Sequence, residues 1–197
     1  MDKAENRDSE KTYLKTNVLE TFKKRIPWLL FLMFSATFTG RIIAAFESAL
    51  AVQTVLISFI PMLMGTAGNS GSQASVTVIR SLSLNELQFG DFCAVLWKEV
   101  RVAVLCGVVL SIANFLKIIL VDNLLFYAQI PILVALVVSL TLCVTVLVAK
   151  SVGCILPMVA KKIGFDPAVM ASPFITTIVD AIALLIYFAI ALVLLKI

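Results

Sequence analysis

Apolar residues in this chain come in long runs separated by short polar connections, and the pattern predicts five membrane-crossing helices, at about 28–47, 51–80, 102–120, 130–149 and 172–195. At about 1.5 Å per residue, a run of about twenty residues crosses a hydrocarbon core of about 30 Å. Ahead of the first run, Leu14, Val18, Phe22 and Ile26 recur at four-residue spacing among lysine, glutamate and threonine, which predicts an amphipathic helix leading into the membrane. The expected organisation is a cytoplasmic N-terminal segment, residues 1–26, followed by a five-helix transmembrane pore domain, residues 27–197.

Two runs break the apolar pattern. The last one, Ser172-Pro-Phe-Ile-Thr-Thr-Ile-Val-Asp180 onward, carries a single ionisable acid, Asp180, with Thr176 and Thr177 one turn before it and Ser172 and Tyr187 about two turns to either side. A carboxylate inside a bilayer costs at least about 2.5 kcal/mol, so it is kept where it meets an ion, water or a partner charge. The second run contains Pro61-Met-Leu-Met-Gly-Thr-Ala-Gly-Asn-Ser-Gly-Ser-Gln73, where glycine, proline and amides predict weak or interrupted helix lining a cavity. If helix survives there, Gly65 and Asn69 share a face; small-residue packing between helices would explain the same composition.

Composition agrees with membrane insertion: of 197 residues 61% are hydrophobic, and mean hydropathy is +1.06. Basic residues fall in the connections, so the net charge of +4 reports topology instead of nucleic-acid binding. With the N-terminus in the cytoplasm, thirteen of the sixteen lysines and arginines lie inside, and an odd number of spans puts the C-terminus outside. Four cysteines without C-x-x-C spacing and no histidine speak against zinc, haem or thiol-redox chemistry. Asp166-Pro167 reads as the cap and first position of the last helix, and Asn114 as a helix-packing amide. Glu47, at the outer end of the first span, is either a solvated end-of-helix acid or part of an outer cation vestibule.

Helix rise places Asp180 about 18 Å from the cytoplasmic start of its run and Gly65 about 21 Å from the outer start of its own, so both fall near mid-membrane. A carboxylate, an amide, hydroxyls and exposed carbonyls make an all-oxygen environment for a hard divalent cation. One carboxylate per chain matches a doubly charged ion if two chains meet on a two-fold axis, which predicts a homodimer.

The blocks Phe46-Glu-Ser-Ala-Leu50, Pro61 to Gln73 leading to Val78-Ile-Arg80, and Asp166-Pro-Ala168 followed by Ser172 to Asp180 resemble the transmembrane domain of the MgtE family of magnesium channels. The resemblance covers the chain from about Ile26 onward. It implies an all-α, multi-pass bacterial inner-membrane protein, a homodimer of five-helix subunits, with Mg²⁺ passing between the second and fifth helices of both chains. It further implies Asp180 as the pore aspartate, Gly65, Asn69 and Thr176 as pore-lining positions, and Glu47 as an acid of the first block. Family members resemble a pore joined to a cytosolic N domain and paired CBS domains, where Mg²⁺ acts as a regulatory ligand. Here 26 residues precede the first span, which leads to the expectation of either a naturally short form gated differently or a piece cut from a longer chain.

The function expected is magnesium transport through a dimeric channel, with coupled exchange of a divalent metal for Na⁺ or H⁺ as the alternative. No enzyme is expected: an intramembrane aspartyl protease would need a second carboxylate at the depth of Asp180, and the other spans supply none. A transport-inactive membrane scaffold is the remaining reading.

Overall fold

The computed structural model describes residues 16–164 and 172–196, and among these every regular element is helical. Asn17 starts α1 (Val18–Ala45) by accepting the Leu19 N–H on its side-chain oxygen, 3.2 Å away. The helix then continues through Pro27, so the step from polar segment to membrane span carries no break in secondary structure. Pro27 therefore stands well inside a helix. Its missing N–H costs one intrahelical bond, a loss that membrane helices tolerate. The described residues up to Thr37 and those from Phe38 onward form two separate compact units. In the first, Trp28 and Phe31 stack at 5.5 Å, and Leu29, Leu30 and Phe34 are exposed.

In the second unit the chain turns at Phe46 into the short α2 (Glu47–Val52), then a tighter helical turn at Thr54–Phe59, before α3 (Ile60–Ser83) begins with Pro61 in its first turn. The predicted second span thus divides at residue 60. Its glycine-rich block was expected to weaken or interrupt the helix, and the structure corrects this: α3 is continuous from Ile60 to Ser83. Glycine costs a helix about 1 kcal/mol in water, but here the missing side chains let neighbouring helices close in. Hydroxyls on α3 turn back to their own helix, with Ser70 donating to Thr66 O at 2.7 Å and Thr77 to Gln73 O at 2.9 Å.

The connection after α3 is shorter than the gap between the predicted spans ending at 80 and starting at 102. Gln88 and Asp91 cap one another, and α4 (Phe92–Lys117) begins directly behind them. Its last turns widen over Ile118–Leu125, where Phe126 N–H reaches back five residues to Val121 O. Asn123 closes the loop after α4 by gripping Ile130 at both backbone groups, accepting its N–H at 2.7 Å and donating to its carbonyl at 2.9 Å. The next helix, α5 (Ile132–Lys162), absorbs both the predicted fourth span and the apolar piece behind it, which leaves Lys150 in a helix interior and Pro157 inside the helix. The final helix is α6 (Ser172–Leu195). The Asp166 cap expected before it lies outside the described residues.

Helix α5 is the centre of this unit and packs against α3, α4 and α6; α3 also packs against α6. One apolar cluster joins Leu56, Phe59 and Leu63 to Leu184, Tyr187 and Phe188. A second, of Ala67, Ala149, Ile175, Val179 and Ala183, fills the crossing of α3, α5 and α6 with small and β-branched side chains. At the cytoplasmic end expected from the charge pattern, Lys161 donates to Leu82 O at 2.8 Å and ties the end of α5 to the carbonyl end of α3. Asn114 donates to Ser139 Oγ at 3.1 Å, a polar link between α4 and α5.

Among the described residues, four segments are long and apolar enough to cross a membrane: Val18–Ala45, Phe89–Leu125, Ile132–Lys162 and Pro173–Leu195. The molecule is an all-α membrane protein.

Candidate functional site

The α3–α6 crossing is organised by glycine. A methyl group at Gly68 would stand 3.0 Å from Thr176 Cγ2 and 3.3 Å from Asp180 Oδ1. One turn on, a methyl at Gly71 would stand 3.1 Å from Ala149 O and 3.2 Å from both Ile175 Cγ2 and Val179 Cγ2. Position 153 of α5 is tighter still: a side chain there would overlap the Gly71 backbone. Three helices therefore approach through Gly68, Gly71 and Gly153, and the approach brings the bare α3 backbone against the Asp180 side chain.

Asp180 is half-buried, eight residues into α6, or about 12 Å along it. Its Oδ1 is inaccessible to water and has no hydrogen-bond partner among the described residues. Ser75 Oγ, Thr141 Oγ1 and Thr145 Oγ1 share that condition, but Asp180 is the ionisable member of the four. A hydroxyl left unpaired loses a neutral hydrogen bond, whereas an unpaired carboxylate lacks the counter-charge that makes burial tolerable. The hydroxyls of Thr176 and Thr177 do not supply it. Both donate to Pro173 O, each at 2.9 Å, which directs their protons away from Asp180.

The other predicted residues are distributed around this crossing. Gly65 lies one turn from Gly68 on an exposed part of α3, with nothing within 4 Å of where a side chain would begin. Asn69 is exposed on the same face and borders a groove of about 750 Å³ between α3 and α4. Thr176 packs its methyl on Gly68. Glu47 is not brought to Asp180: it opens α2 and lines an apolar groove of about 440 Å³ with Ile43, Leu50 and Ile57. Neighbouring Phe46 stacks on Phe188 at 4.5 Å, eight residues beyond Asp180 and about 12 Å further along α6. Tyr187 leaves the predicted polar stripe altogether. It is fully buried, and its hydroxyl donates to Leu56 O at 3.0 Å.

Sequence reasoning chose Gly65 for its spacing to Asn69 and missed Gly68 and Gly71. A signal was present, since Gly68, Gly71 and Ser75 recur at three and four residues and mark one small-residue edge of a helix. No group of three or more histidine, cysteine, aspartate or glutamate side chains gathers anywhere among the described residues. What the crossing offers a cation is a carboxylate with backbone and hydroxyl oxygens nearby, a set that suits a hard ion keeping much of its water.

Residues 60–190, which contain α3, α4, α5 and most of α6, match the MgtE family model, described as divalent cation transporter. The chain belongs to the MgtE family. It is 33% identical over 184 residues to the magnesium transporter MgtE of Thermus thermophilus, covering 93% of this chain and 39% of that protein. It is 34% identical over 175 residues to the magnesium transporter MgtE of Enterococcus faecalis, covering 89% of this chain and 37% of the relative. The Bacillus subtilis magnesium transporter MgtE is 34% identical over 168 residues, 85% of this chain and 36% of that one. The chain thus spans about two fifths of the length of these MgtE relatives, and the match includes Gly68, Thr176 and Asp180 within the family's own boundaries.

Proposed function

We propose that this chain carries Mg²⁺ across a bacterial inner membrane as a homodimeric channel, with Asp180 as the ion's principal attraction. The observation that carries the reading is the buried, unpartnered Oδ1 of Asp180 at a crossing of glycine-bared helices. The similarity to proteins named magnesium transporters selects the ion.

In this reading the subunit crosses the membrane five times, with α3 joining the four more apolar segments as the polar, pore-facing helix; the N-terminus is cytoplasmic and the C-terminus outside. Two subunits set their exposed α3 faces and α6 helices around a common axis, so that two Asp180 carboxylates balance one divalent charge. Asn69, the open backbone at Gly65 and the Thr176 oxygen accept hydrogen bonds from the ion's water shell. Magnesium gives up water reluctantly, so a site that binds through the shell avoids a dehydration step in each passage. An inward-negative potential drives the ion, at about 4.6 kcal/mol per 100 mV for two charges. Glu47, on the outer side and apart from Asp180, concentrates cations at the entrance.

The test is Mg²⁺ flux into liposomes containing only this polypeptide. Asp180→Ala should abolish uptake while cross-linking still reports a dimer, and flux in the wild type should follow the Mg²⁺ electrochemical gradient without a Na⁺ or pH gradient. Undiminished flux in the variant would refute the assignment.

A further inference from the structure

Between α3 and α4 runs the groove of about 750 Å³ that Asn69 borders. Its polar lining is Asn69, Ser72, Gln73 and Thr77 from α3, Glu99 from α4 and Lys150 from α5. Lys150 is 5% exposed, and among the described residues its ammonium has neither a hydrogen bond nor an ion pair. Glu99 is half-buried and likewise lacks such a partner among them. Two opposite charges thus line one groove without meeting. The small exposed part of Lys150 faces this groove, and an ammonium there without an acceptor among the described residues offers a charge-assisted contact to a bound anion.

The groove opens at headgroup depth. A methyl at Gly107 of α4 would stand 3.0 Å from Cys143 O of α5, which fixes the register of these antiparallel helices. Seven residues along each places Lys150 level with Val100, beside exposed Trp97, Lys98 and Arg101. The Arg101 guanidinium lies over the Trp97 ring at 5.9 Å, and an aromatic ring with basic neighbours marks the bilayer interface. Above that level the face of α4 that begins at Val102 continues through Leu105 and Val109, both exposed and apolar.

A simple anion in this groove would be repelled by Glu99, and a simple cation by Lys150. A ligand carrying phosphate and ammonium together satisfies both, the Gln73 amide adds a hydrogen bond, and the apolar α4 face accepts an acyl chain. We propose that the groove is a binding site for a zwitterionic phospholipid with a primary ammonium, a phosphatidylethanolamine, its phosphate on Lys150 and its ammonium at Glu99.

Native mass spectrometry of the detergent-purified protein, with phosphatidylethanolamine and phosphatidylglycerol added in equal amounts, tests this. The wild type should retain phosphatidylethanolamine in preference, and Lys150→Met should lower that retention about tenfold, the effect of one lost charge-assisted contact. The same variant should be no less heat-stable than the wild type in lipid-free detergent, since no internal hydrogen bond or ion pair has been lost. Glu99→Gln should keep phospholipid binding but lose the preference for the ethanolamine headgroup. Wild-type-like retention by Lys150→Met would overturn the proposal. So would displacement of the lipid by inorganic phosphate, which would make the groove a soluble-anion site. The doubly reversed Glu99→Lys/Lys150→Glu protein regaining stability lost in each single variant, without lipid, would reveal an internal charge pair and would equally overturn it.

Discussion

Gly68 and Asp180 meet across the α3–α6 crossing at a distance that leaves no room for a side chain: a methyl group at position 68 would stand 3.3 Å from Asp180 Oδ1 and 3.0 Å from Thr176 Cγ2. The carboxylate is therefore held against bare backbone, and the two residues form one unit in which a change at either is felt by the other. Gly68→Ala should lower thermal stability by about 1–3 kcal/mol, the cost of overpacking a tight contact, and should lower Mg²⁺ flux with it. Gly65→Ala, where nothing lies within 4 Å, should change stability by less than about 0.5 kcal/mol. Thermal unfolding of the two variants side by side checks the contrast, and equal losses would contradict it.

Gly153→Ala should be more damaging than either. The added carbon meets the backbone of Gly71, which cannot rotate aside as a threonine methyl can, so α3 and α5 must separate. We expect a loss above about 3 kcal/mol or failure to accumulate folded protein, measured by the yield and melting temperature of purified protein.

Asp180→Asn separates binding from folding. In Mg²⁺-free detergent it should be at least as heat-stable as the wild type, because a neutral amide replaces a carboxylate whose buried oxygen lacks a partner among the described residues. Adding Mg²⁺ at a hundred times its dissociation constant should stabilise the wild type by about 2.7 kcal/mol and the variant hardly at all. A Mg²⁺-dependent melting shift that survives in Asp180→Asn would place the ion elsewhere.

Tyr187→Phe should cost about 1–3 kcal/mol by leaving Leu56 O buried without its 3.0 Å donor. Because the hydroxyl belongs to the core and not to the Asp180 crossing, flux per folded channel should be unchanged. A flux defect at unaltered stability would return Tyr187 to the ion path.

Asn123→Ala should cost about 1–2 kcal/mol and loosen the segment between the end of α4 and Ile130, since one amide satisfies both backbone groups of Ile130. Faster proteolysis of that loop in the variant is the expected readout, and an unchanged digestion pattern would argue that the grip is dispensable.

The long apolar runs made the helices and their membrane setting legible, because an uninterrupted apolar stretch has few other ways to satisfy its backbone in lipid. Asp180 was equally visible, since an acid in such a stretch violates the pattern. Element ends were less so. Lys150 reads as the end of a span because a charge ordinarily sits at an interface, yet α5 runs on to Lys162 and leaves Lys150 flooring a groove between other helices. The glycine-rich block misled in the same way: glycine weakens an isolated helix, and only packing against α5 and α6 turns those positions into contacts.

What the amino-acid order determined by itself is the medium, the helical class and the identity of the unusual acid, all of which depend on local hydropathy and on spacing along one helix. Which backbone that acid touches was decided by tertiary structure alone. Gly65 and Gly68 differ by one turn and are chemically the same, and the choice between them follows from the register of α3 against α6, set by side chains on both helices and by Gly71 and Gly153 at the crossing with α5. The separation of Tyr187 from the polar stripe has the same origin, since Leu56 O, 131 positions earlier in the chain, is its partner.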